Sequence, residues 1–381
     1  MKTRFAPVFA LAALLLALCA APAAAQTLPS RAETLETMRR VNDYFMEHYA
    51  DPTLPIPYPS RNKVYETNLW TRAVYYEGLM ALYAVYPENR YYDYACRWAD
   101  FHRWGMRRDD TATRNADNYC AAQTYIDLYR LEPRPERLRK ALSCMNMLVN
   151  TPQIDDWTWI DAIQMGMPVL VKLAAVTGDD RYREKAWEMY AWSRNTLAGG
   201  LYNEKEGLWW RDKDFVPPYR EPNGSSCYWS RGNGWVLAAL ARVMEELPAD
   251  APHRSVYLAD FRNMCRALAA CQREDGFWNV SLHDATHFGG PESSGTALFV
   301  YGMAWGLNRG LLERELYLPV VLKGWEALRS AVHDNGFLGY VQGTGKQPSD
   351  GQPVTRTSVP DFEDYGTGCF LLAASEIYKL E

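Results

Sequence analysis

Residues 155–173 read Asp-Asp-Trp-Thr-Trp-Ile-Asp-Ala-Ile-Gln-Met-Gly-Met-Pro-Val-Leu-Val-Lys-Leu. A polar, tryptophan-rich turn runs straight into a segment that is apolar nearly all round, the mark of a helix wetted on no face. Asp161 stands at the junction, with Trp159 before it and Gln164 after it. Thr158 is placed to cap this helix, with Asp161 three residues on reaching back as in a capping box. A carboxylate at a helix mouth, walled by indoles, is also how an acid acting on a sugar would be built. The residues alone leave both readings of Asp161 open.

Worked outward from that stretch, 3.6-residue periodicity gives twelve helical segments and almost no strand. They fall at about 31–49, 69–86, 90–107, 117–131, 134–149, 159–177, 180–196, 229–247, 254–272, 293–311, 315–331 and 362–380. The even-numbered segments are apolar on every side and carry a small residue midway: Gly78, Ala122, Gly166, Gly234, Gly302 and Gly368. The odd-numbered segments are amphipathic, as in Tyr182-Arg-Glu-Lys-Ala-Trp-Glu-Met-Tyr190. Six inner helices alternating with six outer ones predict an all-α (α/α)6 barrel, a single domain over 26–381. Inner-to-outer links are short, whereas the links at 197–228, 273–292 and 333–361 are long, a length that usually carries function. Each long link holds a Gly-aromatic or Gly-aliphatic patch suited to a short hairpin (Gly207-Leu-Trp-Trp210, Gly276-Phe-Trp278, Gly336-Phe-Leu-Gly-Tyr340). All precede inner helices, so they gather at the end of the barrel where Asp161 lies.

The first 25 residues stand apart from this pattern. Lys2 and Arg4, an apolar run from Pro7 to Ala21, and Ala23-Ala24-Ala25 before Gln26 form a cleavable signal peptide. Lipid attachment at Cys19 is disfavoured by the bulky Leu18 before it. No other run approaches the ~20 apolar residues of a membrane span. The expectation is an exported chain, periplasmic or secreted. Its 41 basic and 46 acidic side chains give a net charge of −5, which becomes more negative once Lys2 and Arg4 are removed. Such a surface gives no electrostatic reason to seek nucleic acid. The other seven cysteines are scattered, without a Cys-x-x-Cys pair, and read as small buried apolar residues. Oligomeric state is left open by the sequence. The unusual figures are 14 Trp and 25 Tyr. Most fill the core; those near polar turns suit a carbohydrate cleft, where rings take a sugar's C–H face and polar groups its hydroxyls.

The starts of the inner helices supply Asn68, Trp70 and Thr71; Asp117 and Asn118; Trp159, Asp161 and Gln164; Arg231, Asn233 and Trp235; Ser293 and Ser294; Glu363 and Asp364. Asp117 and Asp161 come from adjacent inner helices and are expected to face one cavity, where like charges would split their proton affinities into acid and base. Arg231 offers a rigid positive fork for a substrate carboxylate. The plain alternatives are helix caps for both aspartates and a loop-holding or charge-neutralising role for Arg231. Arg231-Gly-Asn-Gly-Trp235 lacks the spacing of a phosphate loop, and among the six histidines only His283 and His287 stand four apart, in a link outside the expected helices, where a solvated loop is the reading over a cation site. No Gly-x-Ser-x-Gly elbow occurs.

Four segments together resemble one family. They are Trp159-Ile-Asp161 followed by Met165-Gly-Met-Pro168; Tyr228-Trp-Ser-Arg-Gly-Asn-Gly-Trp235; Asn68-Leu-Trp-Thr-Arg-Ala-Val-Tyr-Tyr-Glu-Gly78; and Asp364-Tyr-Gly-Thr-Gly-Cys-Phe-Leu-Leu-Ala373. They resemble the unsaturated glucuronyl and galacturonyl hydrolases, glycoside hydrolase family 105 and its relative family 88, in the right order over about 35–380. The resemblance implies hydrolysis of the 4,5-unsaturated uronic acid that polysaccharide lyases leave at a non-reducing end. The substrate is an enol ether: protonation at C4 and addition of water at C5 give a hemiketal that opens and expels the aglycone. No metal and no cofactor are implied. On matching positions, Asp161 resembles the general acid and base, and Asp117 the second aspartate that binds hydroxyls and tunes the first. Trp70, Thr71, Trp159, Gln164, Arg231 and Trp235 fall on the binding motifs. Many members carry Tyr-His after the Gly-Leu-Trp of the long loop; here Arg211 stands where histidine is expected, which makes that loop a specificity element. A rhamnose partner from rhamnogalacturonan, hence pectin, is the commonest family answer, with an unsaturated glucuronyl unit from another polysaccharide as the open alternative. Two other classes fit the residues: an inverting glycosidase, needing carboxylates ~6.5–9.5 Å apart, and a non-catalytic glycan-binding protein.

Overall fold

The computed structural model describes residues 27–59, 62–360 and 364–381. The signal peptide expected at 1–25 and Glu363 lie outside the described residues. Helices alternate as expected: α1 (Arg31–His48), α2 (Trp70–Val85), α3 (Asn89–Phe101), α4 (Ala116–Tyr119), α5 (Ala122–Leu131), α6 (Glu136–Val149), α7 (Asp161–Thr177), α8 (Arg181–Asn195), α9 (Ser230–Glu246), α10 (Arg254–Ala270), α11 (Ser293–Asn308), α12 (Arg314–Ala331) and α13 (Asp364–Tyr378). Inner helices α2, α5, α7, α9, α11 and α13 pack each on the next, and α13 returns to α2, closing the ring. The outer helices α3, α6, α8, α10 and α12 each lie on the inner helix preceding them, and α1 lies on α13. This is the (α/α)6 barrel. No helix among the described residues is long and apolar enough to cross a membrane.

The inner helices are buried on all sides; in α7 every residue from Asp161 to Ala174 is buried. Their midway glycines set how closely the helices approach. A Cβ on Gly78 of α2 would lie 2.5 Å from the Gly368 carbonyl oxygen of α13, so these two backbones touch. Charges buried in the wall are paired: Arg72 Nε donates to Asp364 Oδ2 at 3.0 Å, both almost wholly buried, and Arg242 of α9 meets Glu77 of α2 at 3.6 Å.

Three local expectations change. The segment expected as one helix over 117–131 is two, α4 and α5, separated at Cys120 and Ala121. The helix expected to reach 107 stops at Phe101, because Arg103 and Trp104 adopt left-handed φ of 51° and 57°. An unanticipated antiparallel ribbon, β1 (Ile56–Tyr58) with β2 (Lys63–Tyr65), stands between α1 and α2. Of the expected hairpins, the Gly207 patch forms β3 (Tyr202–Asn203) and β4 (Leu208–Trp209). The other two patches contribute only single bridges, Trp278 with Glu292 and Val332 with Leu338. Gly207 turns the chain at φ 74°, close against the Asn263 carbonyl where a side chain would clash.

Candidate active site

Asp161 is the first residue of α7. Thr158 does not cap this helix: Ile160 occupies the cap position, without a side-chain cap bond. The Asp161 carboxylate instead meets Arg211, whose Nε donates to Oδ2 at 3.2 Å. Arg211 also binds Asp212 through Nη1 at 2.7 Å. Its backbone is held there from two sides. Ile160 N–H donates to the Arg211 carbonyl at 2.9 Å, and Trp159 bridges to Asp212. Asn233 of α9 exchanges hydrogen bonds with both the N–H (2.8 Å) and the carbonyl (3.1 Å) of Trp209 in β4. The long loop is thereby docked onto two inner helices, and Arg211 is delivered to Asp161.

Asp117 sits in α4, whose Asn115 cap accepts the Asp117 N–H at 2.9 Å. Two contacts join this turn to the segment leading into α7. Arg114 Nε donates to Asp156 Oδ1 at 2.7 Å, and Trp157 Nε1 donates to Tyr119 Oη at 3.1 Å. Gly166 makes room for both rings, since a Cβ there would lie 2.9 Å from Trp157 and 3.0 Å from Tyr119 Oη. The aspartates are therefore neighbours whose charges interact. Burial first, and the Asp161 charge second, push the Asp117 carboxyl from 3.8 up to about 7, against the pull of Arg211 and Arg107. A carboxyl that releases its proton near neutrality, next to a second carboxylate and a guanidinium, is the equipment of acid–base chemistry.

The remaining expected site residues divide. Trp70 and Trp159 are half-buried, and Trp70 stands edge-on to Trp235 (6.1 Å) and 5.4 Å from Tyr365. Trp235 and Thr71 are wholly buried behind them. Gln164 turns into the barrel axis, where its Nε2 donates to Glu77 Oε2 at 2.9 Å, so it belongs to the interior beneath the pair. Arg231 is not a fork open to a ligand. It is buried between the rings of Trp229 and Tyr365, and its terminal nitrogens donate to the Gln342 and Gly343 carbonyls, both at 2.8 Å. Its partners are backbone oxygens that the fold had to neutralise, so it holds the loop over the helix mouth. Arg107, Asp212 and Gln342 were not anticipated. Arg107 was hidden inside a segment that periodicity assigned to a helix, and nothing local marks Asp212 or Gln342.

Residues 37–381 match Glycosyl Hydrolase Family 88. Over 82% of its length the chain is 31% identical to an unsaturated 3S-rhamnoglycuronyl hydrolase of Formosa agariphila, covering 85% of that protein. A solved glycosyl hydrolase family 88 structure from Bacteroides vulgatus superposes with a TM-score of 0.83 at 33% identity, over 92% of this chain and 100% of that one. A solved structure described as a polysaccharide lyase superposes with a TM-score of 0.82 at 35% identity, over 92% and 98%.

Proposed function

Because this chain belongs to glycosyl hydrolase family 88, we propose that it removes a 4,5-unsaturated uronic acid from the non-reducing end of lyase-generated oligosaccharides, with a rhamnose as the leaving sugar. The observation that carries the reading is the aspartate pair: Asp161 bound to Arg211, and Asp117 with its proton held to about pH 7. Rhamnose, expected from the motifs, is also supported by the name of the Formosa enzyme. The pectic source remains an expectation from the motifs alone. The N-terminal pattern supports export, which N-terminal sequencing of the mature protein tests: it should begin at Gln26.

In this reading a proton from Asp161 adds to C4 and leaves an oxocarbenium at C5. Water adds there, its proton returns to the carboxylate, and the hemiketal opens to release the rhamnose hydroxyl. An anionic sugar entering the site competes with Asp161 for Arg211 and adds a negative charge beside the pair, which favours a proton on it. Asp117, half-ionised near neutrality, limits the charge gathered in the site and offers its proton to a sugar hydroxyl. Trp70 and Trp159 supply the apolar walls.

The test is the ultraviolet absorbance of the conjugated enol ether. Incubation with unsaturated uronyl-rhamnose should bleach it, and Asp161→Asn should abolish bleaching while leaving the circular dichroism unchanged. Absence of bleaching across several unsaturated disaccharides would end the proposal. The likeness to the structure described as a polysaccharide lyase gives a second reading with the opposite signal, since a lyase creates this absorbance from intact polysaccharide.

A further inference from the structure

Beneath the aspartate pair, on the barrel axis, lies a third carboxylate. Glu77 of α2 is almost wholly buried, and side chains on a helix lean toward its N-terminus, so it reaches up toward the mouth. Its two oxygens go to different helices. Oε2 accepts from Gln164 Nε2 at 2.9 Å, and Oε1 accepts from Cys120 Sγ at 3.5 Å. Gln164 follows Asp161 by three residues, and Cys120 follows Asp117 by the same three. One carboxylate therefore holds the turn under each aspartate. The Cys120 thiol has a single proton, with Met165 Sδ at 3.4 Å as its other neighbour; a carboxylate accepts more strongly than a thioether. Burial, and then the Glu77 charge, keep the thiol protonated, so it stays a donor.

The helix that carries Asp117 needs such a hold. The four residues of α4 are too few to keep a helix by their own hydrogen bonds, and the chain breaks from α5 at Cys120 and Ala121. Contacts to other elements therefore place Asp117: Tyr119 accepts from Trp157 on one side, and Cys120 rests on Glu77 below. The α2 helix is a firm post for this, because Gly78, next to Glu77, brings its backbone against that of α13. A second tie joins α5 to α7. Arg242 Nε donates to Gln123 Oε1 at 3.1 Å, and Gln123 Nε2 donates to the Gln164 carbonyl at 2.8 Å. Arg242 and Lys172 oppose the Glu77 charge, and Asp127, Tyr301 and Cys369 also face it.

We infer, resting on the hydrolase reading of the aspartate pair, that Glu77 is a positioning residue for the reaction. By holding the break between α4 and α5 and the first turn of α7 at one distance, it sets the separation of Asp117 and Asp161. It acts through Cys120 and Gln164 and not on the substrate. Acid–base groups must be placed to a fraction of an ångström, and a shift of about 1 Å can cost about a hundredfold in rate.

The test removes one arm of the tie at a time. Cys120→Ala deletes a donor without touching a charge, and Cys120→Ser keeps a donor in place. Glu77→Gln keeps an acceptor for Gln164 and loses the carboxylate; where it fails to fold, the Cys120 variants decide alone. With unsaturated uronyl-rhamnose, Cys120→Ala should lower kcat about tenfold with KM within about twofold, and Glu77→Gln should lower kcat about a hundredfold. Cys120→Ser should recover most of the rate. Carbon-13 titration of Asp117 is the second readout. An α4 released from α7 loses burial and the Asp161 charge, the two causes that hold its midpoint at about 7, so the midpoint should fall in Cys120→Ala and return in Cys120→Ser. A Cys120→Ala enzyme with the wild-type Asp117 midpoint overturns the inference, even if it melts lower or turns over more slowly, since Glu77 would then hold the wall and not the pair. A wild type that bleaches no unsaturated disaccharide defeats the hydrolase reading, and the Asp117 midpoint still decides whether Glu77 sets the pair.

Discussion

Replacing Asp117 by Asn should stabilise the protein at alkaline pH while removing activity. The Asp117 carboxyl ionises near 7 in the folded chain, against 3.8 for the free side chain. Below 3.8 it is protonated in both folded and unfolded chains and contributes nothing. Above that, the unfolded chain releases the proton and the folded chain retains it, so stability falls until about pH 7 and stays lowered beyond it. At about 1.4 kcal/mol per tenfold change in proton affinity, the full difference approaches about 4 kcal/mol. The side chain is only partly buried, and solvent screening reduces this to about 2 kcal/mol. Asparagine bears no charge at any pH and escapes the penalty. With an unfolding entropy of about 2.1 cal/mol/K per residue over about 350 residues, 2 kcal/mol corresponds to about 3 °C. Scanning calorimetry should therefore show the variant melting about 3 °C above the wild type at pH 8 and level with it at pH 4. An equal offset at both pH values, or a variant less stable at pH 8, refutes the reasoning, because either would mean that burial and the Asp161 charge do not raise the proton affinity of Asp117.

Three further outcomes follow from named contacts. Arg211→Met removes a charge that pulls the Asp117 proton off, so a carbon-13 titration of Asp117 should move its midpoint above about 7, whereas Asp161→Asn should move it below; shifts in the same direction would contradict the causes assigned to it. Gly78→Ala should destabilise the barrel by about 3 kcal/mol or more, since the added methyl meets a backbone oxygen at 2.5 Å with no flexible side chain to give way; denaturant midpoints equal to wild type would show that α2 and α13 can separate freely. Asp364→Asn should cost about 3–5 kcal/mol by leaving the Arg72 charge buried without its partner, read from the same urea curves at unchanged slope.

The architecture was legible because burial on every face leaves a local signature. An inner helix must be apolar at each position and an outer helix at only some, and that alternation survives weak sequence repetition. Asp161 and Asp117 were legible for a related reason: polar residues at the start of an otherwise apolar helix have few places to go except the mouth. Arg231 and Gln164 sat in the same kind of position and still went elsewhere. What decides between them is the partner: the Gln342 and Gly343 carbonyls lie more than a hundred residues away from Arg231, and Glu77 is on a different helix from Gln164. Arg107 was lost for the opposite reason, since two left-handed residues, Arg103 and Trp104, broke a helix that the side-chain pattern alone would continue.

The way the ring closes fixes the order in which the protein can be finished. The helix that completes the inner wall, α13, is the last by sequence; it packs on α2 and is covered by α1, and Arg31 Nε donates to the Tyr378 carbonyl at 3.1 Å. A chain delivered from its N-terminus therefore waits with one flank of α2 and one flank of α11 uncovered until residues 364–378 arrive. Contacts spanning most of the chain make such a step slow. The seam where construction ends is the flank of the helix that Trp70 and Thr71 begin, so the cleft is among the last parts of the barrel to take shape. Because the two ends of the described helical chain meet there, the seam is a matter of chain order alone. Joining them and opening the ring at the short turn after α7, where Gly178 already takes a left-handed φ of 74°, would move the late step to another wall and leave the cleft to form early.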